Sequence, residues 1–228
     1  MIFFTIFFIA IVIGYPIWDY FYVKKIKQYH IEKWKIYGQT LFWQWLTFFI
    51  IMGYWIGTNR PIKQLFYTEP SHTYIDSNLI NGMIVGALTV MFLMAIVLFF
   101  SKSSRQKLNN ALTDDSIAFL LPHTVKERLL FLMIAITAGI CEEVIFRGAM
   151  VYYLNHFNLS FISIGIISSL LFGFVHLYQG WKGVLTTAYL GAILYVLYVG
   201  TGSLWLPIML HILIDIKFVF LPNTSKIH

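Results

Sequence analysis

Long apolar runs separated by short polar segments dominate the sequence. Seven such runs follow one another, at residues 1–23, 41–57, 79–100, 125–154, 160–178, 184–199 and 204–221. About 20 predominantly apolar residues cross the hydrocarbon core of a bilayer as an α-helix. The pattern therefore predicts an all-α fold, a polytopic transmembrane helix bundle of about seven spans, in which the sixth span is the shortest.

Composition supports a membrane protein and argues against other classes. Of the 228 residues, 59% are hydrophobic and 11% are charged, whereas soluble domains carry about 25% charged residues. The formal charge of +6 comes mainly from Lys and Arg in the short segments between runs. Basic residues at such positions set the orientation of a membrane protein and attract anionic lipid headgroups. We therefore expect no nucleic-acid partner. The single cysteine, Cys141, excludes an intramolecular disulfide.

The distribution of basic residues predicts the orientation. The 1–2, 3–4 and 5–6 loops and the C-terminal end hold 5, 5, 1 and 2 of them, thirteen in all, against two in the 2–3 loop and none in the 4–5 and 6–7 loops. Basic loops stay in the cytosol. We therefore expect a multi-pass cell-membrane protein with its N-terminus outside and its C-terminus in the cytosol.

Two carboxylates and a guanidinium interrupt the fourth run. Glu142, Glu143 and Arg147 lie within an otherwise apolar stretch, 129–154. Ionisable side chains inside a span are costly, face a protein interior or a wet cavity, and are candidates for function. Glu143 and Arg147 are four residues apart on one helical face, where an ion pair can form. Glu142 lies about 100° around the helix and has no such local partner.

Three further polar residues lie in later runs: His176 in the fifth, and His211 and Asp215 on one face of the seventh. A single histidine there is more often a hydrogen-bonded structural residue. Together with Glu142, however, these side chains would satisfy one another in a shared cavity, which we expect in the cytosolic half of the bilayer. Two carboxylates and two imidazoles fit a hydrolytic site that activates water, and they fit a zinc site equally well.

The motifs resemble those of a known family of membrane proteases. In order and on successive hydrophobic runs, they are Glu142-Glu143-x-x-x-Arg147, Phe172-x-x-x-His176 and His211-x-x-x-Asp215. This set is similar to the three motifs of the CPBP intramembrane proteases, also called the CAAX prenyl endopeptidase/Abi family. The resemblance implies a catalytic core at 125–221, with its active site on helices four, five and seven. Residues 1–124 would add three spans and a cytosolic loop within one membrane domain, 1–228.

The resemblance implies a role for each polar residue. Glu142 would activate water with the help of His176, while His211 and Asp215 would stabilise the oxyanion or position the substrate carbonyl. The family accepts Asn or Asp at the last position. Because an ionised carboxylate cannot donate a hydrogen bond to an oxyanion, Asp215 must be protonated, orient His211 or bind a metal. Of these, orientation of His211 is the interpretation we prefer.

The remaining motif residues, Glu143, Arg147 and Phe172, would support this group. The family has been described both as glutamate-dependent and as metalloproteases, so zinc, with His176 and His211 as ligands, stays open as a cofactor. The implied enzyme is a CPBP-type intramembrane endopeptidase that cleaves a membrane-associated peptide or protein in contact with the lipid bilayer.

Two other functions fit the same residues. One is a non-catalytic scaffold or bacteriocin self-immunity protein of the same fold. The other is a proton- or ion-coupled carrier, because intramembrane carboxylates and histidines also serve relays. The concentration of charges on three helices, without paired broken helices, favours the protease.

The orientation can be tested by labelling. We expect single cysteines at Lys33 and Lys182, introduced in a Cys141→Ser background, to react only from the cytosolic side, and one at Arg60 only from outside, because basic loops stay in the cytosol. Reaction with an impermeant maleimide in intact cells and in permeabilised cells measures this. Labelling of position 182 in intact cells would contradict a site in the cytosolic half.

Overall fold

The computed structural model describes residues 1–29, 31–69, 77–104, 106–107 and 118–220. Helices account for most of this part of the chain, and the one β-bridge in it is an isolated pair, Tyr67 with Ser203. The predicted all-α membrane bundle is confirmed. Parts of the predicted cytosolic side, 108–117 and the C-terminal 221–228, lie outside the described residues, as does Arg105.

The helices follow the apolar runs. They are α1 (Ile2–Ile9), α2 (Tyr15–Tyr29), α3 (Lys33–Gly57), α4 (Lys63–Phe66), α5 (Ser77–Phe100), α6 (Val125–Glu143), α7 (Met150–Asn155), α8 (Phe161–Phe174), α9 (Gly180–Thr201) and α10 (Trp205–Ile216). Two π-helical segments, Ala10–Gly14 and Val144–Ala149, join α1 to α2 and α6 to α7. Short 3₁₀ turns occur at Ala118–Leu120, Leu177–Gln179 and Lys217–Phe220.

Four helical stretches are long and apolar enough to cross a membrane. They are Ile2–Ile26, Lys33–Gly57, Val125–Asn155 and Leu177–Thr201, and they coincide with the first, second, fourth and sixth predicted spans. Shorter apolar helices, Asn81–Val90 and Phe161–Phe174, lie in the third and fifth runs. The count of seven spans stays a prediction.

The boundary between the fifth and sixth runs differs from the prediction. The fifth run was expected to be helical to Tyr178, but α8 ends at Phe174, and His176 lies in the turn that follows. Gly180 then begins α9 with a φ of 74°, a left-handed conformation that favours glycine. The turn therefore redirects the chain before the predicted end of the run and places His176 outside the helix.

One end of the bundle is held by contacts between two chain segments. Lys33 Nζ donates to the Leu121 carbonyl at 2.5 Å, and the Tyr37 hydroxyl donates to the Leu120 carbonyl at 2.6 Å. The start of α3 therefore lies beside the segment that leads into α6. These are the 1–2 and 3–4 loops, which the distribution of basic residues places together in the cytosol.

The opposite end joins the other loops. The Thr5 and Tyr153 hydroxyls are 2.9 Å apart, and Arg60 donates to the Tyr152 hydroxyl. Backbone bonds from Thr68 to Gly202 and from Leu204 to Phe66 tie the 2–3 loop to the 6–7 turn. These contacts agree with the predicted alternation of loops, while the face that meets the cytosol stays a prediction.

Close backbone packing surrounds the π segment Val144–Ala149, whose residues are all buried. A Cβ atom added at Gly148 would lie 2.6 Å from the Leu65 carbonyl oxygen, because α4 rests directly on this segment. Small residues permit such approach between helices in membranes. The segment that follows the paired glutamates is therefore held in place by its neighbours.

This contact predicts a cost for Gly148→Ala. We expect a loss of about 1–3 kcal/mol in the free energy of unfolding, because the Leu65 carbonyl must move. Gly53→Ala, in α3 with no atom within 4 Å of its added Cβ, is the matched control. That control should be neutral or stabilise by up to about 1 kcal/mol. Unfolding of the purified variants in detergent measures both, and equal stabilities would contradict the packing.

Candidate active site

The site begins with a buried ion pair on the fourth predicted span. The capping box of Thr124 and Glu127 starts α6, which ends at Glu143, where the backbone becomes π-helical. Glu143 is fully buried and Arg147 is 2% exposed. Arg147 Nη1 donates to Glu143 Oε1 at 2.8 Å. The pair predicted from the i,i+4 spacing is thus present, with a single close contact.

The Arg147 guanidinium has further partners across the bundle. Its Nη2 donates to the Gly191 carbonyl of α9 at 3.2 Å, and its Cζ lies 4.1 Å from the centroid of the Phe172 ring. A guanidinium at this distance from an aromatic face is attracted by the ring quadrupole. Arg147 therefore connects α6, α8 and α9 at the level of Glu143.

Glu143 also orients His211. The Nδ1 of His211, which is 4% exposed, lies 2.8 Å from Glu143 Oε1 and donates its proton to that carboxylate. The His211 Nε2 to Asp215 Oδ2 distance is 3.6 Å, beyond hydrogen-bond length. The geometry therefore favours Glu143 as the orienting carboxylate, a role that the sequence analysis preferred for Asp215.

Glu142 faces a different environment from its neighbour. Its side chain is 20% exposed, and its Oε1 accepts a hydrogen bond from Gln44 Nε2 of α3 at 3.2 Å. Its Oε2 lies 3.8 Å from His176 Nε2 and 3.9 Å from His211 Nε2. Within the described part of the chain, this oxygen has no hydrogen-bond partner.

The turn after α8 supplies His176. Its Nδ1 donates to the Phe172 carbonyl at 2.8 Å, so the Nε2 is directed towards Glu142. The buried Phe172 ring meets His176 edge-on at 5.0 Å between ring centroids and His211 at 5.9 Å. Phe172 thus packs beneath both imidazoles and against the Arg147 guanidinium.

All seven residues singled out in the sequence gather in this cluster, although their roles stay predictions. Gln44 is the partner that sequence reasoning missed. The available signal was an amide within the second apolar run, between two tryptophans, Trp43 and Trp45. A polar side chain at such a position needs a buried partner.

Zinc as a cofactor stays a prediction. The described residues contain no group of three or more His, Cys, Asp or Glu side chains that could hold a metal ion. Histidine and carboxylate are zinc ligand types. The Nδ1 of each histidine is bonded to the protein, to Glu143 in His211 and to the Phe172 carbonyl in His176, and both Nε2 atoms face Glu142. Histidines that bind a metal are commonly oriented by such a bond at the other ring nitrogen.

Comparison with known families gives a match in the same region. Residues 124–216 match the family model described as "Type II CAAX prenyl endopeptidase Rce1-like". Over this segment the chain is similar to the type II CAAX prenyl endopeptidases. The resemblance carried by the three motifs is confirmed, and the match supports an intramembrane CAAX protease function. No curated protein and no solved structure matches the chain.

The match covers less than half of the chain. It contains every motif residue, from Glu142 to Asp215, but it ends before the 3₁₀ turn Lys217–Phe220 and begins after α5. Gln44, which contacts Glu142, therefore comes from outside the matched segment. Helix α3 contributes to the site without belonging to the matched region.

The buried pair predicts a folding defect for Arg147→Ala. Removal of the guanidinium leaves the Glu143 carboxylate buried without its cation, which costs about 3–5 kcal/mol. We expect a marked drop in folded, detergent-extractable protein, measured by fluorescence size-exclusion chromatography.

The control is Lys35→Ala, which removes an exposed ion pair with Glu32. Surface pairs contribute at most about 1 kcal/mol, so this variant should accumulate like the parent. Equal accumulation of the Arg147 variant and the control would contradict a stabilising role for the buried pair.

Proposed function

We propose that this protein is an intramembrane endopeptidase in which Glu142 activates water for attack on a peptide bond. The observation that carries the proposal is the convergence of Glu142 Oε2 with the Nε2 atoms of His176 and His211, at 3.8 and 3.9 Å. These distances allow a small molecule to bridge the three groups. General bases act on protons within hydrogen-bond reach or through one water.

In both histidines, the hydrogen bond at Nδ1 determines whether the Nε2 atom can accept or donate a hydrogen bond. His176 Nδ1 carries a proton because its partner is a carbonyl oxygen, and His211 Nδ1 carries one because its partner is a carboxylate. A neutral His176 then accepts at Nε2, whereas a protonated His211 donates at Nε2. Glu142 Oε2 is an acceptor, so a water molecule between the three atoms would donate to Glu142 and His176 and accept from His211.

In the proposed reaction, Glu142 removes a proton from this water as the water oxygen forms a bond to the carbonyl carbon. The carbonyl π electrons move to the oxygen and give a tetrahedral oxyanion. His211, when protonated at Nε2, donates to that oxyanion. The proton held by Glu142 then passes to the amide nitrogen as the C–N bond breaks, which releases a carboxylic acid and an amine and returns Glu142 to its carboxylate form.

The other motif residues position these groups. Glu143 keeps the Nδ1 of His211 occupied, so that its Nε2 faces Glu142. The Arg147 guanidinium offsets the free-energy cost of burying the Glu143 carboxylate. Asp215, 3.6 Å from His211 Nε2 and 28% exposed, lies at the open side of the cluster. We propose that it meets the substrate or supports the protonated form of His211.

The proposal involves no metal in any step. His176 and His211 stay the candidate zinc ligands, but the base, the proton donor and the positioning contacts described above come from the side chains themselves. The proposed substrate is a membrane-associated peptide or protein, because the cluster lies among apolar helices. The family name refers to prenylated CAAX substrates, and a lipid anchor would bring a substrate to such a site.

The central prediction concerns Glu142→Gln. This change keeps the volume and removes the base, so we expect a loss of at least about 100-fold in kcat with folded protein at the level of the parent. Cleavage of lipid-anchored peptides in proteoliposomes is the assay. Glu32→Gln, which removes an exposed carboxylate in the α2–α3 turn, is the matched control.

The same assay separates the alternatives. Activity that survives a zinc chelator supports the reaction as written, and activity restored only by zinc requires a metalloprotease. Full activity of Glu142→Gln would show that the assigned base is wrong. Absence of cleavage by the parent, together with a cellular phenotype that is indifferent to Glu142→Gln, would favour the scaffold or immunity function.

A further inference from the structure

A second buried carboxylate lies close to the site, outside the matched segment. Asp19 of α2 is 8% exposed, and its Oδ2 has no hydrogen-bond partner among the described residues. Ion pairs within the same part of the chain do not include it. A buried carboxylate without a partner is unfavourable, and inside a span it is a candidate for function.

Asp19 and the active-site cluster share a neighbour. Helix α2 packs against the 3₁₀ turn Leu177–Gln179, which directly follows His176. The phenol of Tyr178 in this turn is within electrostatic range of Asp19, Glu142 and Asp215. Tyr178 is itself held by Gln179, whose Nε2 donates to the phenol oxygen at 3.0 Å.

A second phenol shows the same arrangement. Tyr15, one turn before Asp19 on α2, is within electrostatic range of Asp19, Tyr178 and Glu142. Two half-buried phenols from different segments thus interact with both Asp19 and Glu142. Asp19 therefore lies on the α2 side of the active-site cluster, next to the turn that follows His176.

The charges around this region do not balance. Arg147 is engaged by Glu143 at 2.8 Å. Of the three carboxylates that remain, Asp215 has Lys217 within electrostatic range, and Glu142 faces the imidazoles of His176 and His211 at 3.8 and 3.9 Å. Asp19, in contrast, has no ion-pair partner among the described residues. An interface is selective when its potential complements that of its partner. A buried carboxylate without a basic partner suits a positively charged ligand.

We propose that Asp19 belongs to a substrate subsite that accepts a positively charged group of the peptide, a Lys or Arg side chain or a free amine, next to the scissile bond. This inference rests on the proposed peptidase function and specifies its substrate. Asp19 acts in recognition only. Glu142 and the histidines carry the chemistry, so a neutral peptide should still be cleaved, but less efficiently.

The test compares lipid-anchored peptides that differ at one position. A Lys is placed in turn at each of the three positions on either side of the cleaved bond, and each peptide is paired with its acetyl-lysine counterpart, which keeps the aliphatic stem and removes the charge. We expect kcat/KM of the parent to be about 10-fold higher for Lys at one of these positions. Asp19→Asn should reduce that ratio to near one while acetyl-lysine peptides are cleaved as by the parent.

Two controls make the result specific. Glu32→Gln removes an exposed carboxylate from the same membrane domain and should keep the Lys preference. Asp19→Glu keeps the charge and should keep most of the preference. If Asp19→Asn does not fold, the comparison of Lys and acetyl-lysine peptides with the parent protein still tests the subsite. Equal rates for the two residues at all six positions would overturn it.

The outcomes separate this inference from the proposed function. No cleavage of any peptide by the parent would refute the peptidase function itself. Cleavage that requires Glu142 but shows no preference for Lys would refute only the subsite. An equal loss of activity on charged and neutral peptides in Asp19→Asn would also overturn it, because Asp19 would then act in the reaction or in folding and not in recognition.

Discussion

The structure of the site depends on one carboxylate oxygen. Glu143 Oε1 accepts from both Arg147 Nη1 and His211 Nδ1, each at 2.8 Å, in a fully buried position. Charges removed from water need close partners to offset the loss of hydration. Because this oxygen joins α6 to α10 and, through Arg147, to α8 and α9, the packing of the core and the orientation of His211 rest on the same contact.

Adjacent glutamates thereby acquire different properties. Glu143 is fully buried, and one of its oxygens makes both of its close contacts. Glu142 is partly exposed: one of its oxygens accepts from Gln44, and the other faces two imidazoles. Paired carboxylates in enzymes take separate roles when their environments differ. Both glutamates lie directly before the α-to-π transition at Val144, and His176, in the turn after α8, faces Glu142.

The helices before the matched segment complete the site. Gln44 of α3 donates to Glu142, and α2, which carries Asp19, packs against the turn that follows His176. In the proposed function the matched segment carries the chemistry, while α2 and α3 supply groups beside the substrate. Such a division would let the first spans alter substrate preference without a change in the reaction.

The sequence by itself determined the features that arise from local spacing. Apolar runs predicted the all-α membrane fold, and the i,i+4 interval predicted the Glu143–Arg147 pair, because both depend on neighbours along one helix. Tertiary structure decided the rest. The partner of His211 proved to be Glu143, 68 residues away, and Gln44 reached Glu142 across 98 residues. Such contacts depend on how helices pack, which periodicity along a single run does not specify.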